Sequence, residues 1–291
     1  MKDAVVEAVS EIVLVPLGGL CNRLRAVMSA VSLARDAHVP LRVVWLRDAG
    51  LNARFSDLFQ PLPPICETSV EMMDSDAWYA YGVPRLRNLY LPSLLQRRSY
   101  DTILSEARLA TIIHEASPKD LASSVLRHLR GKVLIQTGLG FYPTDDREFL
   151  QLFVPSETVR SLLAKRLAII GPHTVGLHIR RTDNVSALRH SPLSAFEAAM
   201  RSDLERDPEA SFYIATDDPD VQTELSSRFP SCCWSDASPS RSTLIGMQDA
   251  LAELFTLIAC PRFHGSYWSS FSDMVVVCHN PGEADIIYTE A

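Results

Sequence analysis

Lysine is nearly missing from this 291-residue chain. It occurs only at positions 2, 119, 132 and 165, so the 28 basic residues are almost all arginine. A formal net charge of −7 argues against a general nucleic-acid binder, which needs a positive field over an extended surface. Cysteine is sparse: the six residues at 21, 66, 232, 233, 260 and 278 show no C-x-x-C or Cys/His ligand spacing. They read as reduced, mostly buried thiols of a cytoplasmic protein. No apolar run reaches the roughly 20 residues of a membrane span. Asp3, Glu7 and Glu11 precede the first apolar run, which is not the pattern of a secretory signal. Internal repeats, low-complexity tracts and charge blocks are all missing. What is present, 47% apolar and 22% charged residues, is a soluble globular composition, sufficient for one large or two medium domains. The arginine bias suits fork-like recognition of anions.

Strands are expected at 11–17 and 41–46, joined by Gly18-Gly19 and a helix from Asn22 to about Ala37. Its apolar residues Leu24, Val27, Met28, Val31 and Ala34 recur at helical steps. Residues 50–115 read as irregular, broken by Pro61, Pro63, Pro64, Pro84 and Pro92. A helix over 118–130, a strand at 132–137 and a helix from 155 to about 170 follow, the last stopped by Gly171-Pro172. Beyond it, strands are expected at 173–179, 211–216, 231–234, 261–264 and 274–278. Helices are expected near 192–206, 218–228 and 244–259 and after Gly265. This alternation predicts an α/β fold with parallel sheets, and a domain boundary falls near 150–156.

Four polar clusters fall at the carboxyl ends of expected strands, where ligands of open α/β sheets bind. In His178-Ile-Arg180-Arg181-Thr-Asp183-Asn184, two guanidiniums follow an apolar run and point to an anion such as a nucleotide diphosphate; a surface ion pair with Asp183 is the alternative. Gly18-Gly19-Leu-Cys-Asn22-Arg23 is a glycine turn at a helix start, suited to close backbone approach or simply to turning. It matches neither G-x-G-x-x-G nor the Walker pattern. Asp217-Asp218-Pro219-Asp220 contains a D-x-D, but Asp218 before Pro219 fits a helix N-cap better than a metal ligand; Asp217 is the better ligand candidate. In His264-Gly265-Ser266-Tyr-Trp-Ser269-Ser270-Phe271-Ser272 a glycine turn leads to a serine-rich helix start, a phosphate cradle or a well-capped helix.

Together these motifs resemble those of the GDP-fucose-dependent fucosyltransferase superfamily, which includes α1,2-, α1,6-, protein O- and nodulation fucosyltransferases. Order and approximate spacing fit over most of the chain, with residues 50–130 unmatched. The resemblance implies a GT-B-like fold of two Rossmann-like domains facing a cleft. Residues 1–152 would form the acceptor side and 153–291 would bind the nucleotide sugar. It implies an inverting enzyme that needs neither metal nor other cofactor and moves fucose from GDP-fucose to a glycan or related hydroxyl acceptor. Arg180 would contact the β-phosphate, with Arg181 supporting it. His178 and Asp249 would lie against guanine and ribose, with Asp217 nearby. Ser269, Ser270 and Phe271, following Gly265 and Ser266, would hold the diphosphate. Gly18, Gly19 and Arg23 would belong to the donor site, and Asn22 would approach the sugar.

The chemistry is coherent, since fixed guanidiniums and helix-start amides stabilise a departing diphosphate. The proton acceptor is the gap. The glutamate that some relatives carry after the Arg-Arg pair is absent from Asn184–His190, and Pro16-Leu17 stands where others have one before the glycine turn. Asp183 and His190 are the near candidates, Asp48 and Asp57 the distant ones. Alternatives are a GT-B transferase for another nucleotide sugar, a doubly wound oxidoreductase, and a non-catalytic nucleotide-sugar-binding protein.

Overall fold

The structure, a computed structural model, describes residues 8–63, 68–83, 91–182, 185–236, 240–279 and 283–290. The chain divides into two compact units, Met1–Val154 and Pro155–Ala291. Each is built on one five-stranded parallel sheet.

In the first unit the strands are β1 (Val9–Pro16), β2 (Leu41–Leu46), β3 (Val70–Ser75), β4 (Thr102–Ser105) and β5 (Gly131–Thr137), in the order β3-β2-β1-β5-β4. The central strand reads as a continuous apolar run, with Ile12, Val13, Leu14 and Val15 fully buried, as a strand covered on both faces must be. The helix Leu20–Ala37 packs on it through Leu24, Val27, Val31 and Ala34, and ends where His38 adopts a left-handed cap (φ 53°).

The second unit contains β6 (Thr174–Ile179), β7 (Ser211–Thr216), β8 (Cys232–Cys233), β9 (Arg262–Ser266) and β10 (Ala284–Ile287), ordered β10-β9-β6-β7-β8. This is Rossmann order: the chain steps outward from β6 through β7 to β8, then returns to the other side of β6 for β9 and β10. Val175, Leu177 and Ile179 of β6 pack with Phe196, Met200, Phe212, Ile214 and Leu225 in one core. Each such side chain contributes about 1.5–3 kcal/mol on burial. The order in which strands are added reverses at β6, so the carboxyl ends of the parallel neighbours β6 and β9 flank the crevice where open α/β sheets take ligands.

Three expectations need correction. Residues 50–115 contain regular structure, including β3, β4 and the helices Leu91–Ser99 and Glu106–Glu115. Residues 274–278 are helical within Ser270–Cys278, not a strand, and the last strand is β10. Gly265 does not turn the chain. It lies inside β9, and the turn falls at Tyr267 and Trp268, where Trp268 takes φ 56°.

Candidate functional site

At the end of β6, Arg180 is fixed from two sides. Its amide donates to Ser266 Oγ at the end of β9 (2.9 Å), and its Nε lies 3.2 Å from Asp217 Oδ2 at the end of β7. Its side chain remains 23% exposed. Asp217 also accepts from the Arg181 amide (2.7 Å), the Thr182 amide (3.2 Å) and the Thr182 hydroxyl (2.6 Å). Burial alone raises the pKa of this carboxyl, but the Thr182 hydroxyl, the two amides and Arg180 outweigh it and hold the carboxyl below its ordinary value. Asp217 therefore shapes the arginine turn.

Arg181 turns inward. Its Nη2 donates to the Ser191 carbonyl (2.8 Å), while its Nε is buried with no hydrogen-bond partner among the described residues. Ser191 is itself fully buried, accepting from the Tyr267 amide (2.8 Å) and donating to the Ile287 carbonyl. The connection after β6, the turn after β9 and the end of β10 are thus tied through one serine. Nothing in its sequence neighbourhood signals this, because its partners come from strands whose order is not legible there. Asp183 lies outside the described residues.

His178 is buried one residue before the end of β6. Its Nδ1 is 2.7 Å from Ser272 Oγ and its ring stacks on Phe271 (4.8 Å between centroids, 28°). Desolvation, then Arg180, lowers its pKa to about 4 against the opposing pull of Asp217. The imidazole is therefore a neutral strut that fixes the start of the helix Ser270–Cys278. Ser269 caps that helix, accepting from the Ser272 amide (3.5 Å). The first amides of a helix have no partner within it, so those of Ser270 and Phe271 offer donors at its positive end. Gly265 allows this placement, since a Cβ on it would lie 2.6 Å from Ser272 Cβ.

Asp249 sits in the helix Leu244–Ala259 with Oδ1 2.6 Å from Arg166 Nη2, and Arg166 also donates to the Asp249 carbonyl. Asp218 caps the helix Pro219–Arg228, accepting from the Asp220 amide (3.1 Å), which is the capping role expected of this D-x-D. Among the described residues no three His, Cys, Asp or Glu side chains gather to hold a metal ion.

In the first unit the carboxyl ends of β1 and β5 meet at a second glycine cluster. Gly18 takes φ +80°, a conformation glycine adopts without steric cost. Gly19 is the N-cap of the helix Leu20–Ala37, with nothing within 4 Å of where a Cβ would stand. Asn22 packs between Gly18 and Gly138, and its Oδ1 accepts from Arg25 (3.2 Å). Arg23 has no exposed surface. It donates to the Gly18 and Leu46 carbonyls, pairs with Asp48 (2.8 Å) and lies over the Trp45 ring (5.2 Å). Its guanidinium thus clamps the glycine turn to the end of β2. Asp48 further accepts from the Gly50 and Leu51 amides, and Asp57 from the Arg54 amide. Glu106, in the stretch read as irregular, caps the end of β5 by accepting from the Gly138 amide (2.7 Å).

No family model matches the chain, and no curated protein matches it in sequence. Solved structures do match in fold. The α-1,6-fucosyltransferase NodZ soaked with GDP-fucose superposes with a TM-score of 0.64 at 17% identity, covering 92% of both chains. FUT1 of Arabidopsis thaliana, a mutant in complex with GDP, gives 0.59 at 14% identity over 98% of this chain and 71% of that one. POFUT1 in complex with GDP gives 0.56 at 11% identity over 97% and 99%. The chain therefore has the GT-B-like, doubly Rossmann architecture expected for it, and that fold is the fold of the GDP-fucose fucosyltransferases.

Proposed function

We propose that the protein is an inverting, metal-independent glycosyltransferase that moves fucose from GDP-fucose to a glycan or related hydroxyl acceptor. The observation that carries this reading is Arg180 at the β6/β9 crevice: its backbone amide is held by Ser266 and its partly exposed guanidinium is oriented by Asp217. Departure of GDP places charge on the β-phosphate. A preorganised guanidinium, backed by the Ser270 and Phe271 amides, stabilises that charge without having to reorganise. Arg181, which donates to the Ser191 carbonyl, supports the same turn from within. Phe271 and Ser272, fixed by His178, shape the floor of this donor site, and Asp249 is offered to the nucleoside while shared with Arg166. Gly18, Gly19 and Asn22 serve the sugar and acceptor side, and Arg23 serves it indirectly by holding their turn. The domain roles follow: nucleotide-sugar binding on residues 153–291 and acceptor binding on 1–152, in a cytoplasmic protein.

Arg180→Ala tests the reading. GDP affinity, measured by calorimetry, should fall about a hundredfold, the loss expected when a charge-assisted contact worth 2–5 kcal/mol is truncated. GDP-fucose turnover should fall at least as far, with the circular dichroism spectrum unchanged. Undiminished turnover rejects the mechanism. The wild type should consume GDP-fucose faster than GDP-mannose or UDP-sugars, and a chelator should leave the rate unaltered.

A further inference from the structure

The chain leaving the arginine turn ends on an imidazole set among aromatic rings. His190 closes the short helix Val185–His190. Its ring stacks on Tyr288 (5.2 Å between centroids, 14°) and stands edge-on to Tyr267 (5.4 Å, 70°). Nδ1 is 3.1 Å from the Thr289 carbonyl oxygen, and the Thr289 amide donates back to the His190 carbonyl at 2.8 Å. A carbonyl only accepts, so Nδ1 carries the hydrogen and the neutral ring presents its lone pair at Nε2. The ring is half-buried, and Nε2 has no hydrogen bond among the described residues.

Its location follows from the ties already described. Ser191, the next residue, receives Arg181 on its carbonyl and Tyr267 on its hydroxyl. Ser266, next to Tyr267, receives Arg180. The imidazole thus stands at the same carboxyl edge of the sheet as the guanidiniums. Tyr267, Trp268 and Tyr288 form a connected aromatic surface beside it, of the flat, amphipathic kind that sugar rings lie on.

Resting on the transferase reading, we infer that His190 accepts the acceptor's proton at Nε2. As the acceptor oxygen bonds to C1 of the sugar, the C1–O bond to the β-phosphate breaks. Its electron pair leaves with GDP, and the hydroxyl proton passes to Nε2. The imidazolium keeps its Nδ1–H on the Thr289 carbonyl and its face on the Tyr288 ring.

The test changes the nucleophile. GDP-fucose is turned over with methanol, whose hydroxyl must lose a proton, and with azide, which has none to lose. In both His190→Gln and His190→Asn, methanol transfer should fall about 10²-fold or more, the range of general-base catalysis. Azide transfer and the GDP Kd from calorimetry should stay at wild-type values. Equal loss with both nucleophiles, or an undiminished methanol rate, overturns the assignment. The azide-rescued pattern appearing in Asp183→Asn, with His190→Gln unaffected, also overturns it. Wild-type protein that neither binds GDP nor consumes GDP-fucose rejects the transferase reading itself, a failure seen without any histidine variant.

Discussion

Asp217 and His178 both neighbour Arg180 and respond to acid in different pH windows. Unfolded, His178 takes up a proton near pH 6.5; folded, it does so only at about 4, because the ring is desolvated and Arg180 is close. Between those values the unfolded chain binds more protons, so stability is complete above the upper value and declines as pH falls towards the lower. Asp217 acts lower down. Its folded pKa is depressed, so its contribution is present above the ordinary carboxylate value near 3.9 and is lost as pH falls through the folded one. Urea denaturation of the wild type should therefore show a loss on the order of 3 kcal/mol from His178 between pH 6.5 and 4. His178→Asn, which can still hydrogen-bond Ser272 but cannot titrate, should lose that much less; identical slopes in the two proteins contradict the account. The sequence identified both residues as site candidates but hid their orientation. Whether a carboxylate faces a ligand or its own backbone depends on partners a few residues, or a whole strand, away. Arg23 makes the point most sharply, as a glycine-turn arginine that packing has fully enclosed.

Among secondary-structure elements, the helix Ser270–Cys278 contains the most instructive misreading. Met274-Val-Val-Val-Cys278 has the β-branched content of a strand, and a short apolar run does not by itself distinguish strand from helix. One local and one tertiary feature settle it: the Ser269 cap, and the close packing of Ser272 against Gly265, where an added Cβ would lie 2.6 Å from Ser272 Cβ. Gly265→Ala should therefore force the helix off β9, costing about 1–3 kcal/mol of stability by overpacking, and should weaken GDP binding because Ser270 and Phe271 move with it. Gly19→Ala is the counterpart: its φ is −76° and the space around it is open. That variant should unfold at the wild-type temperature in a thermal melt, which separates a glycine needed for packing from one placed for access. β3, β4 and β10 escaped the sequence reading for a related reason. They are short outer strands with partly polar residues, and their strand character comes from pairing with neighbours already in place.

For the molecule as a whole, alternation of helices and strands made the α/β class legible, but strand order was not. Nothing between 174 and 287 announces that β9 returns to the far side of β6. Only that crossing puts Ser266 beside Arg180. Ligand binding should reveal the same connection. Saturating GDP should slow amide hydrogen exchange together at 178–182 and 266–272, segments almost 90 residues apart in sequence but joined by hydrogen bonds. Exchange slowed in one segment alone contradicts a single donor site.

The turn after β9 has an optical consequence. Trp45 is fully buried, whereas Trp268 is 69% exposed and sits in a left-handed conformation that costs an ordinary residue about 1–3 kcal/mol. It lies two residues from the serine that anchors Arg180. The fold has in effect placed a native fluorophore at the edge of its proposed donor site, so once the exposed Trp78 and Trp234 are replaced by phenylalanine, acrylamide quenching of Trp268 can follow occupancy of an unlabelled protein in real time.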